Sequence, residues 1–435
     1  MTAFVTSSPV RHAGDLAGEG GWAARLRLAC NYLFAMLPMM LLVTRVGAEI
    51  IVAAIGLSFL AVIAARRRWD VLAQPLVAVP IAIWIYLMAV NTPLAWLDPS
   101  AVLGRTVPWL RFFCLFGAVV FWLFADERDF RRVVVAWGVT LAFVVIDGFV
   151  QGIFGTSLSG HTLFMVERLT GPLDRPNIGR FVALLFYPGL AAYLVVGERR
   201  LEWKRILAII ISTAAAVAFT VFTAERAATV LNLATFTTAM VIYILVVPRF
   251  RLGGSLGILV VLMIAAATVI LSARVQMRIE PTLAVLRDFR DSPYGELVRA
   301  AVTVWQGQPV TGVGLGNFDM VCKARELELV YGCLRHPHNI YLEWLAEGGA
   351  IGLAGFLAFF GAVLALVLGL LRAREGRPAL TALLLACPVL TFMPFVPSQS
   401  FFSNWPAILW WTSLAMTCAV AFHARYRMPQ EGSPA

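Results

Sequence analysis

Charge is scarce in this 435-residue chain: Asp, Glu, Lys and Arg together make up 14% of it, against about 25% in a soluble domain. With 60% of positions apolar, too few polar groups remain to cover a surface in water, which excludes a soluble globule. Lysine is almost missing. Lys204 and Lys323 are the only two, so the net charge of +10 is an arginine charge. Guanidinium forks suit phosphates and carboxylates better than ammonium groups do. A GC-rich codon bias produces the same skew, so position must decide what the arginines mean. No CxxC pair suggests a zinc site, and no P-loop offers nucleotide hydrolysis. Fixed-period repeats and low-complexity tracts are absent. Residues 1–25 lack an apolar core, so no cleavable signal is expected.

Long apolar runs are abundant. Twelve of them approach the ~20 residues that a hydrocarbon core requires, over about 27–45, 48–65, 73–90, 107–125, 133–152, 179–197, 205–223, 228–247, 255–273, 349–371, 379–397 and 406–424. They predict an all-α, polytopic integral membrane protein with about 12 transmembrane helices. The expected organisation is a cytoplasmic segment at 1–26, helices one to nine over 27–273 with an outer segment at 153–178, a long periplasmic loop at 274–348, helices ten to twelve over 349–424, and a cytoplasmic tail at 425–435. Short helices are expected in the long loop around 281–290 and 295–306.

Arginine placement sets the expected orientation. One set of connections holds Arg66, Arg67 and Arg68; Arg128, Arg131 and Arg132; Arg199, Arg200, Lys204 and Arg205; Arg249 and Arg251; and Arg372, Arg374 and Arg377. Arg25, Arg27, Arg425 and Arg427 add both termini to it. This richer set reads as cytoplasmic, which leaves 153–178 and 274–348 outside, or periplasmic in a bacterium.

Those two segments hold the candidates for chemistry. Pro337 disfavours helix at His336, so a helix is expected to begin just after it, with His338 at its N-terminus. The positive end of the helix would keep that imidazole neutral and able to accept a proton from a hydroxyl. The plainer alternative is an interfacial histidine that only caps the helix. Arg168, Arg175 and Arg180 flank the first outer segment, Arg226 sits in TAERAAT, and Arg287, Arg290, Arg299 and Arg335 come from the long loop. Converging guanidinium groups would bind a diphosphate and stabilise the charge on it as it leaves. Local pairing, Glu225 with Arg226 and Asp174 with Arg175, is the competing reading for each.

Other features carry less. Gly312, Gly314 and Gly316 form a GxGxG without the GxGxxG spacing, which reads as a tight turn. The DERD at 126–129 reads as a solvated cytoplasmic loop. Asp288 and Asp291 could meet a metal, but Arg287 and Arg290 flank them and weaken that case. Asp147 is an intramembrane carboxylate that pairs with an arginine or marks a proton path. Cys30, Cys114, Cys387 and Cys418 read as small core residues, while Cys322 and Cys333 share the long loop and could be joined or free.

The GVGLGNF stretch, followed by HNIYLEWLAEGGAIGLAGF, resembles the signature of the O-antigen ligase and polymerase superfamily. RLTGPLDRPNIGR and TAERAAT are similar to two further segments of those proteins, with Glu225 standing where a serine is usual. The resemblance spans about 150–370. It implies an inverting glycosyltransferase with a glycan on undecaprenyl diphosphate as donor and, in the ligase branch, a sugar hydroxyl of lipid A–core oligosaccharide as acceptor. By that analogy His338 is the catalytic base and Arg226 and Arg299 are functional arginines; Arg175, Arg180 and Asn177 are assigned to binding, with His336 beside them. It implies no cofactor, no metal and no nucleic acid, and it leaves the oligomeric state open. The second outer segment is far longer than the first, which favours a ligase over a polymerase. A protein O-oligosaccharyltransferase shares the donor chemistry. A transporter of lipid-linked sugars is the remoter alternative, and would place its polar residues near the bilayer midplane.

Overall fold

In a computed structural model, which describes residues 21–165, 168–196, 203–327, 329–371 and 377–426, the chain is a bundle of helices. Among those residues there is no strand, only isolated bridges of Thr156 with Thr162 and Phe164 with Arg168. Residues 1–20 of the expected N-terminal segment, and Arg199, Arg200, Arg372, Arg374 and Arg427, lie outside the described residues.

The order is α1 (Trp22–Val43), α2 (Arg45–Arg66), α3 (Pro75–Tyr86), α4 (Pro99–Phe121), α5 (Glu127–Phe154), α6 (Ile178–Val195), α7 (Trp203–Phe222), α8 (Arg226–Val246) and α9 (Arg251–Leu271). The long connection then holds α10 (Ala273–Gln276), α11 (Ile279–Arg287), α12 (Pro293–Gly307) and α13 (Phe318–Ala324). The chain ends with α14 (Ile340–Leu368), α15 (Pro378–Ala386), α16 (Pro388–Phe392) and α17 (Asn404–Tyr426). Every expected apolar run is helical over most of its length, with 393–397 the main exception. Ten helices among the described residues are long and apolar enough to cross a membrane, and the chain is a polytopic membrane protein. The third and eleventh runs give the shorter apolar helices Pro75–Asn91 and Pro378–Phe392. Pro388 interrupts the second of these between α15 and α16. The first ends in a π turn over Leu87–Asn91.

α17 is buried along its whole apolar length and packs on α4 and α6, which makes it the axis of the bundle. α8 and α9 bury far less and offer apolar side chains such as Leu245, Leu252 and Leu259 to lipid. The DERD stretch is not the solvated loop its charges suggest. Asp126 caps α5, accepting the Arg128 and Asp129 amides, and the buried Asp129 pairs with Arg27 and Arg132. A carboxylate there also suits the positive end of the helix.

α14 is broken at Gly349, whose φ of 69° and ψ of −173° lie outside the helical region. The GxGxG turn wraps this break. Val313 and Gly314 donate to the Ala346 and Glu347 carbonyls, both at 3.0 Å. Gly312 has φ +72°, and a Cβ there would lie 2.4 Å from the Glu347 carbonyl oxygen. Only glycine permits both that conformation and that approach. The Glu347 carboxylate accepts the Gly316 and Phe318 amides, and Asn91, from the π turn, donates to the Thr311 and Glu347 carbonyls at 2.7 and 2.8 Å. The glycines therefore serve a backbone clasp around a helix break, the tight turn their spacing predicts. Beyond it, Cys322 and Cys333 form a disulfide with Cα atoms 5.8 Å apart.

Candidate active site

Two connections at one end of the bundle meet at His338, the α9–α14 connection and the loop between α16 and α17, with Arg180 of α6 beside them. The loop between α16 and α17 begins inside the span expected at 379–397: the helix ends at Phe392, and 393–397 leave it. α14 holds this loop residue by residue. Asn339 donates to the Pro394 carbonyl at 2.7 Å and Tyr341 to the Phe392 carbonyl at 2.5 Å. The buried Glu343 accepts the Ser400 hydroxyl at 2.6 Å and the Phe401 amide at 2.7 Å. Phe401 and Phe402 then plug into the aromatic cluster of Trp109, Trp344 and Trp410, with ring centroids 4.7–5.7 Å apart. The HNIYLEW stretch is thus both a helix start and a template for the loop facing it.

His338 does not cap the helix. Asn339 does, accepting the Tyr341 and Leu342 amides at 2.9 and 3.1 Å. His338 lies one residue earlier at φ +53°, a left-handed conformation uncommon outside glycine and most tolerated by Asn, Asp and His. Its backbone is clamped on both sides: its amide donates to His336 Nδ1 at 3.2 Å, and its carbonyl accepts from Ser398 at 2.8 Å. Its own Nδ1 lies 3.2 Å from the Ser398 carbonyl oxygen. A carbonyl only accepts, so in this bond Nδ1 carries the proton and Nε2 presents its lone pair. His336 has the opposite tautomer, since its Nδ1 accepts the His338 amide and its proton therefore sits on Nε2. The two rings pack with centroids 4.1 Å apart, and Tyr294 sits edge-on to His338 at 6.3 Å.

Burial is the main cause holding the His338 pKa below that of free histidine; Arg180 adds to it, and the bond to Ser398 opposes it. His336 is held down to about 3 by burial, then by His338 and Arg180. Burial therefore acts in the direction expected of the helix terminus. The outcome, a neutral imidazole at pH 7, is the same.

Arg180, in the first turn of α6, donates to the Pro397 carbonyl, next along the chain from the carbonyl that His338 binds. Within electrostatic range of Arg180 lie Glu225, Tyr294 and Arg168. Around Arg226 they are Arg278, Tyr294 and Arg168. Arg226 buries its Nε without a hydrogen-bond partner among the described residues. Tyr294 and Arg168 are thus near both Arg180 and Arg226, and Arg278 is near Arg226. Arg278 and Tyr294 were not singled out from sequence, because nothing local marks them; only the fold brings them to Arg226.

Glu225 does not pair locally with Arg226. Its carboxylate accepts the Gly179 amide at 2.8 Å and the Arg180 amide at 3.3 Å, and so caps α6 from another connection. Burial pushes its pKa up to about 7, against the lowering pull of the Gly179 amide, Arg180 and Arg168.

The remaining candidates lie apart. Arg175 and Asn177 line a second cavity of about 520 Å³ with Arg45, His161 and Trp405. Arg175 is exposed and lies over the Phe164 ring, and Asp174 faces His161 at 3.9 Å rather than Arg175. Arg299 is exposed on α12 and donates to the Arg290 carbonyl. Asp147 neither pairs with an arginine nor stands alone: it accepts the Ser159 amide at 3.1 Å. One turn further along α5, Gln151 binds the His161, Thr162, Thr170 and Gly171 backbone. The two side chains pin the segment that carries Arg168 and Arg175.

Residues 211–357 match the model of a family described as O-Antigen ligase, about a third of the chain. The match includes Glu225, Arg226, Arg278, Tyr294, Arg299, His336 and His338; Arg168, Arg175, Asn177 and Arg180 fall before it. It bears out the resemblance to the O-antigen ligase and polymerase superfamily and, with the helices, supports a glycosyltransferase-type enzyme of the membrane acting on lipid-linked substrates. No curated protein matches the chain.

Proposed function

We propose that this chain is an inverting glycosyltransferase of the ligase type, which moves an O-antigen glycan from undecaprenyl diphosphate to a sugar hydroxyl of lipid A–core oligosaccharide. The observation that carries the reading is the pairing of His338, with Nδ1 bonded to Ser398, and Arg180, bonded to the neighbouring carbonyl. A base and a diphosphate-binding cation are thereby held on one short piece of backbone.

Nε2 of His338 takes the proton of the acceptor hydroxyl. The freed oxygen attacks the anomeric carbon on the face opposite the diphosphate. The bond from that carbon to the phosphate oxygen breaks, and its electron pair leaves with the diphosphate. Arg180 and Arg226, with Arg168 and Arg278, stabilise the charge that collects there, and a single displacement inverts the anomeric centre. The donor is already activated, so the step needs no nucleotide. Arg175 and Asn177, in the second cavity, would contact the acceptor side. Arg299 is carried from the resemblance alone.

The cation-rich connections and both termini are assigned to the cytoplasm of a bacterial inner membrane, and the His338 end to the periplasm. The unequal outer segments favour a ligase over a polymerase or a protein O-oligosaccharyltransferase. Polar residues gathered at the end of the bundle argue against a transporter.

The test is reconstitution in lipid vesicles with undecaprenyl-diphosphate glycan and lipid A–core, without ATP or added metal. Glycan should appear on the core, and His338→Ala should lower turnover by at least ~10²-fold while still inserting and melting normally. Full activity in that variant removes the base. Transfer onto a second lipid-linked glycan or a polypeptide selects one of the sister reactions, and translocation without transfer selects the transporter.

A further inference from the structure

We infer that the cavity between α11 and the start of α12 is the subsite for the first sugar of the donor, the one bonded to the diphosphate; this rests on the glycosyl-transfer reading above. The cavity measures about 490 Å³, within the ~300–1,000 Å³ of small-ligand sites. One wall is Arg226, which lies near Arg168 and Arg278, and another is Tyr294, whose ring meets His338 edge-on. A sugar held here has its anomeric carbon between the leaving phosphate and the base, where the reaction needs it.

The other walls exclude the obvious competitors. Asp288 and Asp291 face the cavity, and carboxylates repel a phosphate, so the diphosphate itself does not fill it. No group of three or more His, Cys, Asp or Glu able to hold a metal ion occurs among the described residues, so the protein alone does not build a metal cage around the two carboxylates. An alkyl chain would desolvate both charges without pairing them. Hydroxyl groups suit the site: ionised carboxylates only accept, and two of them can receive several sugar hydroxyls. The rings of Tyr294 and Tyr331 offer flat apolar faces to the C–H side of a pyranose. The Ser292 hydroxyl is already used, donating to Phe289 at 2.7 Å and capping α12.

α11 also sets the depth of the site. Pro281, Ala284, Val285 and Asp288 recur at helical spacing along the cavity, while Ile279, Leu283 and Leu286 are exposed on the same helix. Laid on a membrane, that apolar side meets lipid, and the cavity behind it lies at headgroup level, where a lipid-borne diphosphate delivers its first sugar.

The test measures binding to the full chain in nanodiscs with two probes: undecaprenyl diphosphate, and the same lipid bearing one N-acetylhexosamine. The wild type should prefer the sugar-bearing lipid. Asp288→Asn combined with Asp291→Asn should weaken that lipid about tenfold. Binding of the bare lipid should stay the same or tighten, because two repelling charges are gone. Both substitutions fall on exposed positions, and a thermal melt checks the fold. Equal loss of both lipids, an intact preference in the variant, or a wild type that binds both alike overturns the subsite and leaves the diphosphate reading standing. A wild type that binds neither lipid overturns the proposed function and this inference with it.

Discussion

Arg180 and His338 hydrogen-bond to consecutive carbonyl oxygens of one loop, those of Pro397 and Ser398. The cation therefore acts on the base as well as on the substrate, since Arg180 helps burial hold the His338 pKa below its ordinary value. Arg180→Ala should lower kcat by on the order of 10²–10³-fold, as expected for one lost electrostatic donor. It should also move the acid limb of the rate profile to higher pH, because His338 regains protons more easily. Arg180→Lys should keep the limb in place. A pH profile of kcat/KM for both variants checks this; an unmoved limb in Arg180→Ala would show that the two groups are not coupled.

Glu225 and His336 should give stability opposite dependences on pH. The Glu225 carboxyl is raised in the fold, to about 7 from 4.5. Its contribution is complete below about pH 4.5 and is lost as pH rises through 7. His336 is lowered in the fold, to about 3 from 6.5. Its contribution is complete above pH 6.5 and is lost as pH falls toward 3. Thermal midpoints in detergent should show Glu225→Gln flattening the neutral side of the curve and His336→Gln the acid side. The opposite assignment, or one curve for all three proteins, contradicts these environments.

Much of the architecture was legible because lipid demands runs of apolar residues, and each run became helical over most of its length. The misreadings share a cause: a residue's neighbours in sequence stood in for its neighbours in space. DERD looked solvated because Arg27 lies 102 positions from Asp129. The span expected at 379–397 runs past its helix end at Phe392, because the bonds that hold the following loop come from Asn339, Tyr341 and Glu343, more than 50 positions away. His338 was found through HNIYLEW, a compact motif. Arg278 and Tyr294 have no motif around them, and Glu225 looked like a local partner of Arg226 until its carboxylate was placed on α6.

Arg226 and Arg299 separate the resemblance from the geometry. The resemblance gives both a functional role; the fold brings only Arg226 near Tyr294 and Arg168, while Arg299 is exposed and bonded to Arg290. Arg226→Ala should cost on the order of 10²–10³-fold in kcat, and Arg299→Ala less than about tenfold, within the range of an exposed charge. The measurement is single-turnover transfer with donor in excess. Equal losses would mean that α12 moves Arg299 inward when substrate binds.

The last expectation concerns the helix break beneath the site. Gly349 has φ +69°, and a Cβ on it would sit 2.3 Å from the Val310 carbonyl oxygen and 2.5 Å from the Gly312 amide nitrogen. Those contacts are backbone, so no side chain can swing away. Gly349→Ala must either straighten α14, breaking the bonds that Ala346 and Glu347 accept from Val313 and Gly314, or push the turn out. Either route should cost more than about 2 kcal/mol and lower the melting midpoint. Gly361, on the same helix, has open space where its Cβ would be, and Gly361→Ala should be neutral or slightly stabilising. Similar melts for the two variants would mean that the clasp contributes nothing to holding the α14 kink. The alignment of His338 would then depend on Asn339, Tyr341 and Glu343 alone.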